Sequence, residues 1–451
     1  MTQTVTKEQL IEKAKKPSFD AMKLHPFYRG KMEIVPKCCI RDFQDFAIWY
    51  TPGVAAPCLA IAKDEKLVYE YTSKWNMIAV VSDGTRVLGL GDIGPKAGLP
   101  VMEGKCILFK YLGGVDAVPI TLATKDPDEI ITAVKWLQPA FGGINLEDFS
   151  QPKCFRILDT LRKTAEIPVW HDDQQGTACV TLAGLINALE VVGKKPKDVT
   201  LTAVGSGAAN VACLRMMFAY GIKPAHTIVV DSKGILNRNR KDLELKKTEF
   251  VDKWRLCETT NEEQRTGDMA DAMKDADVCI ALSKSGPDTI KKEWVANMNK
   301  DSIIFACANP IPEIWPWEAK EAGAKVVATG RSDFPNQVNN SLGFPGIFRG
   351  TLDVRARTIT DEMCIAAADE LAKCARERGI NENNISSTMD EWTVFPREAV
   401  AVGLKAQELG IAGLKLTRTQ LLEQATSMIK RSREMTQKSM ELGYIRMPDG
   451  A

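Results

Sequence analysis

Two pairs of adjacent carboxylates, each at the end of a predicted strand, are the residues best suited to chemistry in this sequence. Glu147 and Asp148 close one predicted strand, and Asp172 and Asp173 follow another. Ligands of open α/β sheets collect outside the carboxyl ends of the strands, so the two pairs could converge. Their oxygens suit Mg²⁺ or Mn²⁺. Spacing alone slightly favours the simpler alternative, in which both pairs begin or cap the helices that follow.

A glycine-rich turn between a strand at 199–204 and a helix at 211–220 is a second candidate site. Gly205 permits a tight turn, Gly207 lets the backbone approach a pyrophosphate, and the helix N-terminus offers free N–H groups to that anion. Asp231 ends the next strand, where a carboxylate can accept a hydrogen bond from a ribose hydroxyl. The residues of the turn are Gly205, Ser206, Gly207, Ala208, Ala209 and Asn210.

The turn departs from the usual dinucleotide fingerprint, and the choice of cofactor stays open. Its third position is Asn210 rather than Gly or Ala, and Asp231 lies farther along the chain than the usual spacing of about 20 residues. Asp231 favours NAD, because a carboxylate repels a 2′-phosphate. Lys233, Arg238 and Arg240 could instead neutralise the 2′-phosphate of NADP, or could simply form a solvated loop.

Three Gly- and Pro-rich joints each carry a reactive side chain, namely Tyr50, Arg86 and Lys105. Lys105 precedes a predicted apolar helix at 106–109. An amine near a helix N-terminus and partly desolvated is expected to have a lowered pKa, which makes it usable as a base. The alternative is a lysine that only extends its amine towards solvent.

The elements that must position these residues alternate between strand and helix. The apolar runs at 77–81 and 87–92 predict a β-hairpin. Short apolar strands between amphipathic helices then predict parallel sheets covered by helices, an α/β fold. We expect three parts: an N-terminal α/β domain at 1–175, a Rossmann-type doubly wound parallel-sheet NAD(P)-binding domain at 176–415, and a C-terminal helical extension at 416–451.

Composition narrows the class of protein. The 451 residues are 45% apolar, an ordinary value for a globular protein. They include 59 Lys and Arg against 58 Asp and Glu, so the chain lacks the net positive charge that attracts nucleic acid. No apolar run approaches the roughly 20 residues that span a bilayer, and the N-terminus lacks a secretory core, which favours a cytoplasmic protein without membrane partners. The 12 cysteines have no metal-site spacing and there are only three histidines, so any metal must be held by oxygen.

Taken in order, these segments resemble the malic enzymes, specifically the smaller prokaryotic-type subunit without a fused acyltransferase domain. The resemblance runs from about residue 25 to 415. Its matching stretches are 50–55, 87–94, 100–105, 146–149, 171–178, 308–313 and 334–346.

The resemblance implies a role for each candidate side chain. Tyr50 is expected to be the general acid, Lys105 the general base, and Arg86 the partner of a substrate carboxylate. The implied metal ligands are Glu147, Asp148 and Asp173, with the catalytic Asp172 beside them. The implied substrate contacts are Lys105, Asn309, Asn339 and Asn340, of which Asn309 also meets the nicotinamide.

The expected reaction is the oxidative decarboxylation of (S)-malate to pyruvate and CO₂, with NAD or NADP and with Mg²⁺ or Mn²⁺. The resemblance also implies a homodimer, in which some family members contribute a catalytic residue across the interface. Two alternatives remain from the sequence: a decarboxylating dehydrogenase of another 2-hydroxy diacid, and a dinucleotide-binding sensor that has lost turnover.

Overall fold

A four-stranded parallel sheet forms the centre of the first half of the chain. The computed structural model describes residues 7–448, with side chains from residue 16 onward. The strand order is β2-β1-β3-β4, and all pairings are parallel, so the four carboxyl ends share one edge. The strands are β1 (Met77–Ser82), β2 (Asp116–Thr121), β3 (Gly143–Leu146) and β4 (Val169–His171).

The prediction of a β-hairpin formed by residues 77–81 and 87–92 is wrong. Both edges of β1 are already paired, with β2 and β3, so no edge is left for an antiparallel partner. Residues 83–94 instead form a loop in which Val87 makes one bridge to Gly91. Gly84 has φ +70°, and a Cβ there would lie 2.3 Å from the backbone of Gly94. This close approach folds the loop back beside the carboxyl ends of the strands.

The second half of the chain contains a six-stranded sheet in the order β10-β9-β8-β5-β6-β7. The chain starts at β5 in the interior, moves outward through β6, and then crosses to β8 on the other side of β5. This reversal is the doubly wound, Rossmann-type topology that the sequence predicts. The strands are β5 (Leu201–Val204), β6 (Thr227–Asp231), β7 (Gly234–Ile235), β8 (Val278–Ala281), β9 (Ile303–Ala306) and β10 (Val326–Thr329).

Helices cover both sheets. Those before β1 are α1 (Lys7–Tyr28), α2 (Asp45–Trp49), α3 (Ala55–Lys63) and α4 (Val68–Tyr71). Those of the first sheet and the crossing to the second are α5 (Pro95–Gly113), α6 (Pro127–Leu137), α7 (Lys153–Thr164) and α8 (Thr177–Val192). The second sheet carries α9 (Ala208–Tyr220), α10 (Lys241–Glu244), α11 (Val251–Thr259), α12 (Met269–Met273), α13 (Lys292–Ala296) and α14 (Pro316–Glu321). The chain ends with α15 (Phe344–Asp353), α16 (Asp361–Glu377), α17 (Val394–Glu408) and α18 (Arg418–Glu441).

The helix α8 is part of the one described helical segment whose length and composition are compatible with crossing a membrane. That segment is Asp172–Val192, with a mean hydropathy of 1.3. However, 78% of the apolar stretch of this segment is buried inside the protein. The helix packs against α9 and α16, so it is a core helix that joins the two sheets.

The C-terminal helix α18 begins at a capping box, in which Thr417 and Gln420 exchange hydrogen bonds. It packs against α5, α15 and α17. Its Ser432 hydroxyl donates to the carbonyl of Lys110 at 2.7 Å, near the end of α5. The extension is therefore part of the packed molecule, while the domain limits at 175 and 415 remain predictions.

Candidate active site

Three carboxylates meet at the carboxyl edge of the first sheet. Glu147 and Asp148 directly follow β3, and Asp173 follows the adjacent parallel strand β4. One ligand oxygen from each of the three lies within 4.8 Å of the others. The predicted convergence of these carboxylates thus occurs, and adjacent strand ends are its cause.

The electrostatics of this trio fit a divalent cation. Burial, and then the neighbouring charge of Asp173, raise the pKa of Asp148 to about 8. Burial also raises the pKa of Glu147 well above its usual range. Within the described residues, the buried Oδ2 atom of Asp148 has no hydrogen-bond partner. Clustered, underneutralised carboxylates of this kind are the oxygen ligands that Mg²⁺ and Mn²⁺ prefer.

Lys105 faces the trio from the helix α5. Its Nζ lies 2.6 Å from Asp172 Oδ2, 3.1 Å from Glu147 Oε1 and 4.6 Å from the ring centre of Phe344. Burial lowers the pKa of Lys105, but the carboxylates of Asp172 and Glu147 raise it by more, so the net direction is upward. The prediction of a lowered pKa near a helix N-terminus is wrong on both counts. Lys105 lies in the middle of α5, and its carboxylate neighbours outweigh desolvation.

Asp172 connects the two halves of the site. Its carboxylate is fully buried and accepts hydrogen bonds from Lys105 Nζ, from Trp170 Nε1 at 3.3 Å, and from the side-chain amide of Asn340. Asn340 lies in the segment between β10 and α15, so a residue of the second half of the chain touches the centre of the first. The prediction that Asp172 and Asn340 belong to one site is consistent with this geometry.

Arg86 lies at the exposed rim of the cluster. Its backbone N–H donates to the carbonyl of Asp148 at 2.9 Å, and its guanidinium donates to the carbonyl of Leu88 at 3.2 Å. The guanidinium is exposed and is close enough to lower the pKa of Asp148, against the larger effect of burial. A cation at this rim can hold an anionic group that approaches the trio.

Tyr50 does not join the cluster within one chain. It follows α2, and 71% of its surface is exposed. Within residues 16–448, its hydroxyl makes no hydrogen bond to the carboxylates or to Lys105. Among the described residues, the candidate acid is therefore not hydrogen-bonded to the candidate base.

The glycine turn after β5 has the shape that a dinucleotide needs. Gly205 has φ +98°, and a Cβ there would lie 3.0 Å from the carbonyl oxygen of Leu282. Gly207 has open space around its missing Cβ, and α9 begins at the next residue. Asn210 explains the departure from the fingerprint, because its amide donates to the carbonyls of Val204 and Gly205 at 2.8 and 2.9 Å and fastens the turn to the strand.

The two remaining candidate asparagines, Asn309 and Asn339, have different surroundings. Asn309 follows β9, and its carbonyl lies 3.2 Å from the position of a Cβ on Gly89, so it adjoins the 83–94 loop of the first half. Asn339 instead caps the short turn at Asn340–Leu342, where its side chain accepts from the N–H of Ser341. Its amide oxygen is thus used for local structure.

Glu313 is a buried carboxylate beside these loops that the sequence analysis did not single out. Its fully buried carboxylate accepts from the N–H and hydroxyl of Ser283, after β8, and from the N–H of Ala308, next to Asn309. Burial raises the pKa of Glu313 to about 7. The signal was its place at the end of the 308–313 stretch, but only the fold shows that it joins two strand-end loops.

Comparison with known proteins agrees with this arrangement. Two family models match most of the chain: "Malic enzyme, N-terminal domain" at residues 29–162 and "Malic enzyme, NAD binding domain" at residues 174–404. The bifunctional malic/malolactic enzyme of Bacillus subtilis is 47% identical over 410 residues, covering 91% of this chain and 98% of its own length. The NAD-dependent malic enzyme of Geobacillus stearothermophilus is 48% identical, covering 85% of this chain and 78% of its own.

A solved structure shares the whole architecture. The crystal structure of Entamoeba histolytica malic enzyme has a TM-score of 0.95 and 48% identity, and the match covers 99% of this chain and 94% of that one.

Proposed function

The chain belongs to the malic enzyme family of NAD(P)-dependent oxidoreductases, and from that membership we propose that its site converts (S)-malate to pyruvate and CO₂ with divalent-metal catalysis. The observation that carries the proposal is the contact of one buried lysine, Lys105, with both Asp172 and the metal-ligand candidate Glu147. A pure binding protein has no use for a base, a carboxylate trio and a dinucleotide turn in one place.

The side chains divide the work as follows. Glu147, Asp148 and Asp173 would hold the cation, and Arg86 at the rim would hold a carboxylate of malate. When bound, the cation supplies a Lewis acid for the C2 oxygen and offsets the carboxylate charge around Lys105, and the dinucleotide supplies the acceptor for the C2 hydride. Lys105 then takes the proton of the C2 hydroxyl, with Asp172 fixing the position of its amine.

Loss of CO₂ from the oxidised substrate leaves an enolate that needs a proton at C3. We propose Tyr50 as the donor, because it is the family's candidate acid and a phenol can supply that proton. Since Tyr50 is exposed in the single chain, the proposal requires a second copy to bring it to the site.

A homodimer explains the surface of the first segment. Large apolar side chains lie exposed along residues 19–71, a concentration that marks a protein–protein contact rather than ordinary surface. They include Phe19, Met22, Ile34, Phe43, Ile48, Trp49, Tyr50 and Leu59. Tyr50 belongs to this surface. A second copy of the chain that covers the surface would therefore also contact the Tyr50 phenol.

The test follows reduced-nicotinamide absorbance with malate and Mn²⁺, with NAD⁺ and NADP⁺ in parallel and pyruvate measured at the end. One pyruvate for each reduced cofactor establishes the reaction. If the protein binds a dinucleotide yet reduces neither with malate, the proposed substrate is wrong. Repeating the assay with other 2-hydroxy diacids then separates another dehydrogenase from a sensor without turnover.

A further inference from the structure

The carboxylate of Asp231 is at the place where a Rossmann fold meets the adenosine ribose, but its oxygens are already occupied. It ends β6, the strand next to the glycine turn. Its Oδ1 accepts from the N–H of Lys233 at 2.8 Å and from Arg240 Nη1 at 3.0 Å. Its Oδ2 accepts from Arg240 Nη2 at 3.1 Å and pairs with Lys253 Nζ at 2.5 Å. Two carboxylate oxygens offer about four acceptor positions, so a ribose hydroxyl would have to displace one of these partners.

Arg240 is fixed in this position by a second carboxylate. Its Nε and Nη2 donate to Asp242 at 2.8 and 2.9 Å, and its Nη1 also donates to the carbonyl of Gly234 at 3.2 Å. All five N–H groups of the guanidinium are therefore used. Arg240 cannot add a new ligand, but it holds Asp231 in a bidentate pair and neutralises it.

The charges around this point favour an additional anion. Asp231 and Asp242 face three cations, Arg240, Lys253 and Lys233, and the Nζ of Lys233 lies 3.4 Å from Asp242 while remaining largely exposed. The ammonium groups of Lys233 and Lys253 each carry three N–H donors, so both keep donors beyond these ion pairs. The local balance is one net positive charge beside the expected 2′ position of the ribose.

Building on the proposed dinucleotide site, we infer that this chain selects a 2′-phosphorylated dinucleotide, NADP rather than NAD. Lys233 and Lys253 are the proposed phosphate ligands, and Arg240 is a specificity-determining residue that acts through Asp231. An NAD-selective site needs a free carboxylate for the ribose hydroxyls. Here that carboxylate is engaged, and the nearest unsatisfied groups are cationic donors.

The test measures binding, not turnover, by titrating the full chain with NADPH and with NADH and following nicotinamide fluorescence. The wild-type chain should bind NADPH more tightly. Lys233→Gln with Lys253→Gln should weaken NADPH binding by about tenfold or more, since each removes a charge-assisted hydrogen bond. The same double variant should not weaken NADH binding, because losing Lys253 frees an acceptor position on Asp231. Lys241→Gln is the control, because Lys241 is an exposed lysine next to Arg240 but pairs with the partly exposed Glu244.

Arg240→Met tests the role assigned to Arg240, because it removes the partner that neutralises Asp231. Freeing Asp231 should lower the ratio of NADPH affinity to NADH affinity, and Arg240→Lys, which keeps the charge but loses the fork, should lower it less. Tighter NADH binding by the wild type, or equal losses for both dinucleotides in the lysine variants, would overturn the inference while leaving the proposed function standing. Binding of neither dinucleotide would overturn both.

Discussion

Lys105 has two acidic neighbours where the sequence suggests a lone amine, and this changes how its role must be tested. With Asp172 and Glu147 within 3.1 Å, removing the amine also leaves two buried carboxylates facing each other. A loss of activity alone would therefore not separate a base from a structural cation. A readout of cofactor binding has to accompany it.

We expect Lys105→Ala to lower kcat by about 10²–10⁴-fold, the usual contribution of a general base, and to leave dinucleotide affinity nearly unchanged. Steady-state kinetics and fluorescence titration measure the two effects. Lys96→Ala is the matched control, since Lys96 is an exposed lysine of the same helix. A variant that retains near-normal turnover would remove Lys105 from the mechanism.

If Glu147, Asp148 and Asp173 bind a divalent cation, the Tm of the protein should depend on that cation. Mn²⁺ should raise the Tm of the wild type, because a ligand that binds only the folded chain stabilises it. Asp173→Asn should lose most of that increase and need more Mn²⁺ for activity. Asp128→Asn, which changes an exposed carboxylate paired with Arg156, should behave as the wild type. Equal Tm shifts in all three proteins would mean that the ion binds elsewhere.

At the scale of elements, the sequence predicts what is local and misses what depends on packing. The strand β5, its glycine turn, α9 and β6 follow each other without interruption, so spacing alone locates them. The predicted position of Lys105, just before a helix, is wrong. Gly98, Pro100 and Gly104 suggest an irregular segment, whereas the helix α5 runs through all three. A Cβ on Gly98 would lie only 3.3 Å from Val87 Cγ2, so a small residue suits this place for a packing reason that no local pattern reveals.

Glu313 ties two strand-end loops together, and its replacement should loosen both. In Glu313→Gln the amide NH₂ must face a backbone or hydroxyl donor of Ser283 or Ala308, which leaves a buried donor unpaired at a cost of about 1–3 kcal/mol. We expect a lower Tm and weaker dinucleotide binding. Glu318→Gln, a nearby change on the partly exposed α14, should alter neither. Unchanged affinity in Glu313→Gln would show that the loops are fixed by other contacts.

The packing of α17 on α15 places a second carboxyl, Glu398, where water does not reach. Neither of its oxygens has a hydrogen-bond partner among the described residues, and burial raises its pKa well above the usual range. The native state thus keeps a proton that the unfolded chain loses above its ordinary pKa. This group therefore makes the free energy of unfolding fall as pH rises above about 4.3.

Glu398→Gln should remove that contribution, so the variant should lose less stability than the wild type between pH 5 and pH 8. Urea unfolding at the two pH values measures the difference, and we expect the wild type to show the larger fall in the free energy of unfolding. Parallel curves for the two proteins would show that Glu398 is not the group responsible.

At the scale of the whole molecule, the exposed apolar segment and the isolated Tyr50 are two aspects of one question, the contact between copies. If Tyr50 acts in the partner's site, Tyr50→Phe and Lys105→Ala are each inactive, but their mixed dimers contain one site with both native groups. Mixing the two after dissociation should then restore about a quarter of wild-type activity, because random exchange makes half of the dimers mixed. Activity that stays absent on mixing, in confirmed mixed dimers, would place Tyr50 in its own chain's site.

The buried helix α8 also bears on how the chain is made. It packs against α9, which follows closely, but also against α16, which begins only at Asp361. A ribosome that adds about 5–20 residues per second must finish most of the nucleotide-binding sheet before α16 emerges. Until then, the segment best able to resemble a membrane anchor has only part of its cover. Synthesis of this protein therefore includes an interval in which α8 lacks the cover that α16 later provides.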